Sequence, residues 1–163
     1  MRYLSALLML VCCSALAAVA DIEVTHDRAS GDTTIKTAVR GATATPHISL
    51  YAIVLAASKE PPTVALLLSA RFPSWQYRQC HRTGWRVDNT PLELPQPSYE
   101  GKTGEGFVAE FLTIQPLTIG QMRQMAQATM IAFTICNEEF TASPEEMQDF
   151  RTFMDKVREQ GRR

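Results

Sequence analysis

Between residues 22 and 115 the apolar residues of this chain recur mostly at every second position, and beyond residue 118 they recur at every third and fourth. A period of two belongs to strands half-buried in a sheet, and a period near 3.6 to amphipathic helices. The change of period restricts the fold more than any other feature, because the strands come first and the helices last. Ile22-Glu23-Val24-Thr25-His26 alternates, and so does Thr33 to Val39, with Ile35, Thr37 and Val39 on one face. Gly41 to Pro46 breaks the pattern, His47 to Ala57 resumes it, and Ser58-Lys59-Glu60-Pro61-Pro62 reads as a turn. Thr63 to Phe72 is the most apolar segment; its length between turns favours a strand buried on both faces, with a helix the alternative, since an Ala-Leu run does not decide by periodicity alone. Trp75 to Cys80 alternates aromatic and polar residues. With Arg82-Thr83-Gly84 as a turn and Trp85 to Asp88 returning, it reads as a hairpin. Asn89 to Gly104 holds three prolines and two glycines and reads as a long surface connection, before Phe107 to Ile114 resumes strand character.

Two capping boxes start the helices. In Thr118-Ile119-Gly120-Gln121 the threonine oxygen can accept from a free main-chain N–H while Gln121 reaches back, and Ser143-Pro144-Glu145-Glu146 repeats the device with proline at the first helical position. Ile119, Met122, Met125 and Ala126 line one face of the first helix. Met147, Phe150, Phe153, Met154 and Val157 form a stripe on the second. Between them, Met130 to Asn137 alternates as a strand with Ile131, Phe133 and Ile135 together. The expected fold is α+β: an antiparallel sheet of about 6–8 strands, then a C-terminal helix–strand–helix packed on one sheet face.

The N-terminus has a different character. Arg2 precedes an apolar run from Leu4 that ends in Ala18-Val19-Ala20, the small-residue pattern of a signal peptidase site before Asp21. The run is shorter than the about 20 apolar residues a membrane span requires, and no stop-transfer charges follow it. Val11 before Cys12 is a poor lipidation context. Residues 1–20 are therefore expected to be a cleaved secretory signal peptide, 21–160 a single domain and 161–163 a short basic tail. Membrane contact is expected only through the signal peptide, and the destination is the periplasm or the outside of the cell. Taking Arg2 from the 16 Lys+Arg leaves 15 against 17 Asp+Glu, a net charge of about −2. Such a balance offers no basic field for nucleic acid.

Cleavage also removes Cys12 and Cys13, leaving Cys80 and Cys136. Two cysteines in an oxidising compartment are expected to pair. In the strand pattern each sits near a strand end, on the face away from the largest apolar residues, so neighbouring strands would bring them together. A zinc site is not expected, since structural zinc takes four Cys or His ligands at short spacings and His26 and His47 stand alone. On a strand, adjacent Cys80 and His81 point to opposite faces, which also argues against a nucleophile–base pair.

A Cys80–Cys136 bond would draw His81 and Arg82 toward Asn137, Glu138 and Glu139, with Arg78, Arg86 and Asp88 nearby. Arg78, His81, Arg82, Asp88, Asn137 and Glu138 are thus the candidate ligand-binding residues. Cations beside carboxylates can hold a polar ligand or tune a general acid, and an ordinary ion-pair cluster at a sheet edge has the same composition. Trp75, Tyr77 and Trp85 read as core aromatics from their alternation with Gln76, Arg78 and Arg86. The loop of Pro91, Pro95, Pro97 and Tyr99 is a further candidate surface. No G-x-S-x-G, H-E-x-x-H, phosphate loop or C-x-x-C occurs. The expected function is a non-catalytic extracytoplasmic binding, assembly or envelope-accessory module, without cofactor or metal, whose partner is a protein or a small polar ligand. The alternative is a small hydrolase with a polar site near His81, Asp88 and Glu138.

Overall fold

The computed structural model describes residues 22–38, 44–55 and 62–161. The signal-peptide reading of residues 1–20, Val39, the chain beyond Leu55 in the third strand segment, and the last two residues of the basic tail lie outside them. Among the described residues ten strands and two helices follow in the order β1 (Ile22–His26), β2 (Thr33–Thr37), β3 (His47–Val54), β4 (Thr63–Phe72), β5 (Thr83–Val87), β6 (Thr90–Leu92), β7 (Ser98–Gly104), β8 (Phe107–Leu117), α1 (Ile119–Gln127), β9 (Ile131–Ile135), β10 (Glu138–Thr141) and α2 (Pro144–Gln160). The fold is α+β, as the period change predicts.

The main sheet has six antiparallel strands in the order β1-β2-β3-β4-β8-β7. Its registers, such as Leu50 opposite Leu66 and Leu68 opposite Leu112, gather the even-numbered apolar residues of β3, β4 and β8 on one face. There Ile35, Leu50, Leu66, Leu68, Leu112 and Ile114 share one core with Phe150, Phe153, Met154 and Val157 of α2. The opposite face carries Lys36, Tyr51 and Phe111, with charged pairs Lys36–Glu23 at 3.0 Å and Lys102–Glu100 at 3.1 Å toward its two edges. On that face the small residues Ser49, Ala65, Ser69 and Ala109 in the middle of the sheet are buried as well, so the inside–outside alternation of a half-covered sheet shows mainly in β2, at Tyr51 and at the charged pairs. β4 sits between β3 and β8 and is buried along most of its length, as its composition predicts.

Both capping boxes form. Gln121 N–H donates to Thr118 Oγ1 at 3.1 Å, and Thr118 N–H donates to Gln121 Oε1 at 2.8 Å. At the second box Ser143 N–H donates to Glu146 Oε2 at 2.7 Å. The other oxygen of this buried carboxyl group accepts from Ile48 N–H at 2.7 Å, so one side chain both caps α2 and fastens it to β3.

The second sheet, four-stranded in the order β10-β9-β5-β6, departs from the expected layout. The expected hairpin of Trp75–Cys80 with Trp85–Asp88 is not formed. Residues 73–82 lie outside the strands, and β5 turns instead through Asp88-Asn89 into β6. Asp88 and Asn89 have φ of 48° and 66°, the double left-handed conformation of a type I′ hairpin turn, which Asp and Asn tolerate best among non-glycine residues. The Asn89–Gly104 connection therefore contains β6 and β7, whose alternation is hidden by prolines and glycines. The expected strand Met130–Asn137 ends at Ile135, where Cys136-Asn137 turn the chain into β10.

Candidate functional site

The candidate polar cluster is organised by a residue that the alternation conceals. Glu110 lies on the core-facing side of β8 among Val108, Leu112 and Ile114, and is fully buried. One of its carboxyl oxygens accepts from Gln76 N–H at 2.8 Å. The other accepts from Tyr77 N–H at 2.9 Å and from Tyr99 O–H at 2.8 Å. Burying a carboxyl group is tolerable only with such donors. They also explain why residues 75–80 form no strand: their main-chain N–H groups are directed at Glu110, and Cys80 N–H folds back to Tyr77 C=O at 3.2 Å. Gly101 on β7 leaves no room for a β-carbon beneath the Trp75 ring and the Tyr99 hydroxyl, which lets the loop lie directly on the sheet.

Tyr77 extends the network. Its buried ring meets Phe72 edge-on at 5.5 Å, and its hydroxyl donates to Glu138 Oε2 at 2.8 Å. Burial, then the bond to Glu138, raises the Tyr77 pKa above the ordinary tyrosine value. Burial, followed by the bond to Glu110, raises that of Tyr99 to about 12. Both phenols are therefore protonated donors near neutral pH. Chemically this is a hydrogen-bonding framework between two tyrosines and two carboxyl groups.

Cys80 and Cys136 form a disulfide with a Cα–Cα distance of 6.0 Å. The bond joins a loop to a turn and not two strands: Cys80 ends the 73–82 segment, and Cys136, at φ 58°, opens the two-residue turn between β9 and β10. The face argument made from strand alternation therefore does not describe how they meet. Cys136 N–H donates to Arg82 C=O at 2.9 Å, which continues the β5–β9 pairing up to the bond.

Of the six candidate ligand residues, the structure places Arg78, His81, Arg82, Asn137 and Glu138 on the segments joined by the disulfide. The exposed His81 ring stacks on Tyr99 at 5.3 Å, and the Arg78 guanidinium lies 5.5 Å from the Trp75 ring centre. Arg86 pairs with Glu139 across the outer face of the second sheet. Asp88 is elsewhere, at the opposite end of β5. There Asp88 Oδ1 accepts from Thr129 Oγ1 at 2.6 Å, Thr129 N–H at 2.9 Å and Met130 N–H at 3.0 Å. The Thr129 hydroxyl, then the Met130 N–H, hold its pKa below the ordinary aspartate value. The structure thus does not join His81, Asp88 and Glu138 in one site. Trp85 is core, stacked on Phe133 at 4.9 Å, with Phe133 in turn on Phe140 at 5.3 Å.

A second feature lies between the helices. Two adjoining hollows of about 220 and 230 Å³ share Arg123, Met154 and Arg158. Ile119, Met154 and Val157 supply apolar lining, and Arg123, Arg151 and Arg158 stand around it. Arg151 donates to Ala128 C=O at 3.3 Å, satisfying the C-terminus of α1, and Arg158 pairs with Asp155 at 3.3 Å on the exposed surface. The sequence signal was the spacing of Arg151 and Arg158, two turns apart on one helix face; the contribution of Arg123 depends on how α1 packs against α2.

Among the described residues no group of three His, Cys, Asp or Glu side chains is placed to hold a metal ion, and no helix is long and apolar enough to cross a membrane. Compared with family models, with curated proteins and with solved structures, the chain matches none.

Proposed function

We propose that this chain is a non-catalytic binding module working outside the cytoplasm, in the periplasm or beyond the cell, with a small molecule or a protein as its partner. The observation that carries this reading is the use made of the polar groups around the disulfide. Glu110 holds two main-chain N–H groups and Tyr99, Glu138 holds Tyr77, and Asp88 holds the start of β9. These groups fix chain segments relative to one another, which is the work of a scaffold. The Cys80–Cys136 bond and the leader-like N-terminus support an oxidising destination. The helix–helix groove supplies a surface on which a ligand can sit.

The test is native mass spectrometry of the protein recovered after export. The expected result is a stoichiometric non-covalent adduct that is lost on denaturation. A parallel screen with ester, amide and glycoside substrates addresses the hydrolase alternative. Hydrolysis abolished by His81→Ala or Glu138→Gln, with the protein still folded, would overturn the reading.

A further inference from the structure

Among the described residues four strands end a sheet: β1 and β7 in the main one, β6 and β10 in the second. An open edge presents main-chain donors and acceptors that another strand can take up, and the charges and prolines along it decide which strand fits. β6 has three residues and carries Pro91, β10 has four and β1 five, whereas β7 has seven and no proline. Glu105-Gly106 turns β7 into β8, and their pairing starts at Gly104 opposite Phe107. A two-residue hairpin closes on a reciprocally bonded pair, after which non-bonded and bonded pairs alternate. Ser98, Glu100, Lys102 and Gly104 thus direct their main-chain groups at β8, and Tyr99, Gly101 and Thr103 direct theirs outward. Among the described residues no main-chain bond from outside the sheet reaches those outward groups. Thr103 is exposed, and Gly101 is only half-buried although Trp75 lies against its inner side.

The side chains add a second observation. Glu100 and Lys102 flank Gly101 on the outer face of the sheet, with side chains 66 % and 67 % exposed. Their order is its own complement. When two β7 strands are laid antiparallel about Gly101, Glu100 of each lies opposite Lys102 of the other. The same operation on β1, centred on Val24, sets Glu23 opposite Thr25 and pairs no charges.

We propose that β7 docks on β7 of a second copy of this chain, antiparallel and centred on Gly101, so that the two main sheets join edge to edge. Gly101 N–H of each copy donates to Gly101 C=O of the other, and Tyr99 exchanges the same bonds with the partner's Thr103. Glu100 and the partner's Lys102 form a non-bonded cross-strand pair, the kind in which side chains stand closest. The two Gly101 α-carbons lie about 5.5 Å apart, as in any bonded antiparallel pair, which brings the two Trp75 rings alongside each other. Main-chain bonds supply the affinity, and the charges set the register and exclude mismatched strands. Seven residues a side is far short of the roughly 20–30 of a stable interface, so the dimer is weak and reversible. The proposal goes beyond the binding-module reading and does not depend on it.

The experiment is sedimentation velocity of the oxidised protein recovered after export, at up to about 1 mM. The expected result is a reversible monomer–dimer equilibrium, weakened about tenfold or more by Glu100→Lys or by Lys102→Glu, each of which sets like charges opposite one another. An equimolar mixture of these two single variants should dimerise again, and so should the double variant, since both arrangements restore opposite charges across the axis. Thr103→Pro removes an outward N–H without touching the β8 ladder, and should abolish the dimer in a protein that stays folded. Amide exchange at Tyr99, Gly101 and Thr103 should slow as concentration rises. A monomer throughout, a dimer indifferent to both charge reversals, no association in the mixture, or a dimer retained by Thr103→Pro would each overturn the proposal. A ligand adduct on a strictly monomeric protein would sink it and leave the binding-module reading standing.

Discussion

β4 and β9 hold the same position in their sheets, each an interior strand with an antiparallel neighbour on either side, yet they are secured differently. β4 is ten residues long and lies between strands of eight and eleven. Its ladders are long, and Val64, Leu66 and Leu68 are fully buried. β9 is five residues long and lies between strands of five and four. It carries ties at both ends: Asp88 grips Thr129 and Met130 where it begins, and the disulfide holds Cys136 where it stops. Ladder and burial contributions grow with strand length, whereas a specific bond acts at full strength on a strand of any length. The short sheet therefore depends on bonds that the long sheet can do without.

The largest test of this contrast is removal of the disulfide. Replacing Cys80 and Cys136 by serine should lower stability by about 4 kcal/mol in the chain-entropy treatment of a loop of this size. Denaturant unfolding measures the total. Hydrogen exchange should show protection lost first in β9, β10 and residues 73–82, with β3, β4 and β8 retained. Uniform loss across both sheets would break the comparison. Leu66→Ala in β4 is the opposite arm. A cavity at this fully buried site should cost about 3 kcal/mol and reduce protection everywhere, because the core it belongs to spans both sheets and both helices.

Glu110→Gln sharpens the boundary between the regions, since Glu110 lies in the long sheet but holds the loop that leads to the short one. The amide places donors against main-chain N–H groups, and a cost of about 2 kcal/mol is expected. Exchange should rise at Gln76 and Tyr77. Smallest near neutral pH is the effect of Asp88→Asn, since asparagine tolerates the left-handed turn and keeps one acceptor oxygen. Its sign is set by pH. The folded pKa of Asp88 lies below its ordinary value, so the stabilisation is present above that ordinary value and is lost as pH falls through the lowered one. Melting temperatures from pH 6 down to 2 should fall less steeply for the asparagine variant, and parallel curves would remove the Asp88 tie from the account.

The same contrast explains what could be read from the sequence. The strands of the long sheet other than β7, both capping boxes and the α2 stripe are legible because periodicity and cap residues are written in side chains, whereas the glycines of β7 hide it. Trp75–Cys80 reads as a strand and is not one, because the alternation of Trp75 and Tyr77 with polar residues imitates a strand. The donors that hold it are main-chain N–H groups, which every residue but proline possesses and no letter records. Glu110 left a trace as a carboxyl group at a core-facing position of an alternating run. Its main-chain partners, Gln76 and Tyr77, lie more than thirty residues earlier, and nothing in the spacing points to them. The Cys80–Cys136 bond matches the pair expected once the leader-like segment is set aside, while the turn that presents Cys136 is hidden because cysteine rarely adopts a positive φ. The polar candidates near the disulfide were legible as neighbours of the cysteines. Asp88 was not placeable, since its position depended on which strand β5 turned into.

The position of β9 in the short sheet has a consequence for how the protein is made. β5 emerges early in the chain, but its inner neighbour is β9, more than forty residues later, and Cys80 must likewise wait for Cys136. A chain delivered from its N-terminus would present β5 and a free Cys80 thiol well before either partner has arrived. Until then β5 is paired on one edge only, with β6, and Cys80 is a reactive thiol. A product cut short before residue 131 would lack both β9 and Cys136, leaving the inner edge of β5 and the Cys80 thiol without the partners that the finished chain gives them.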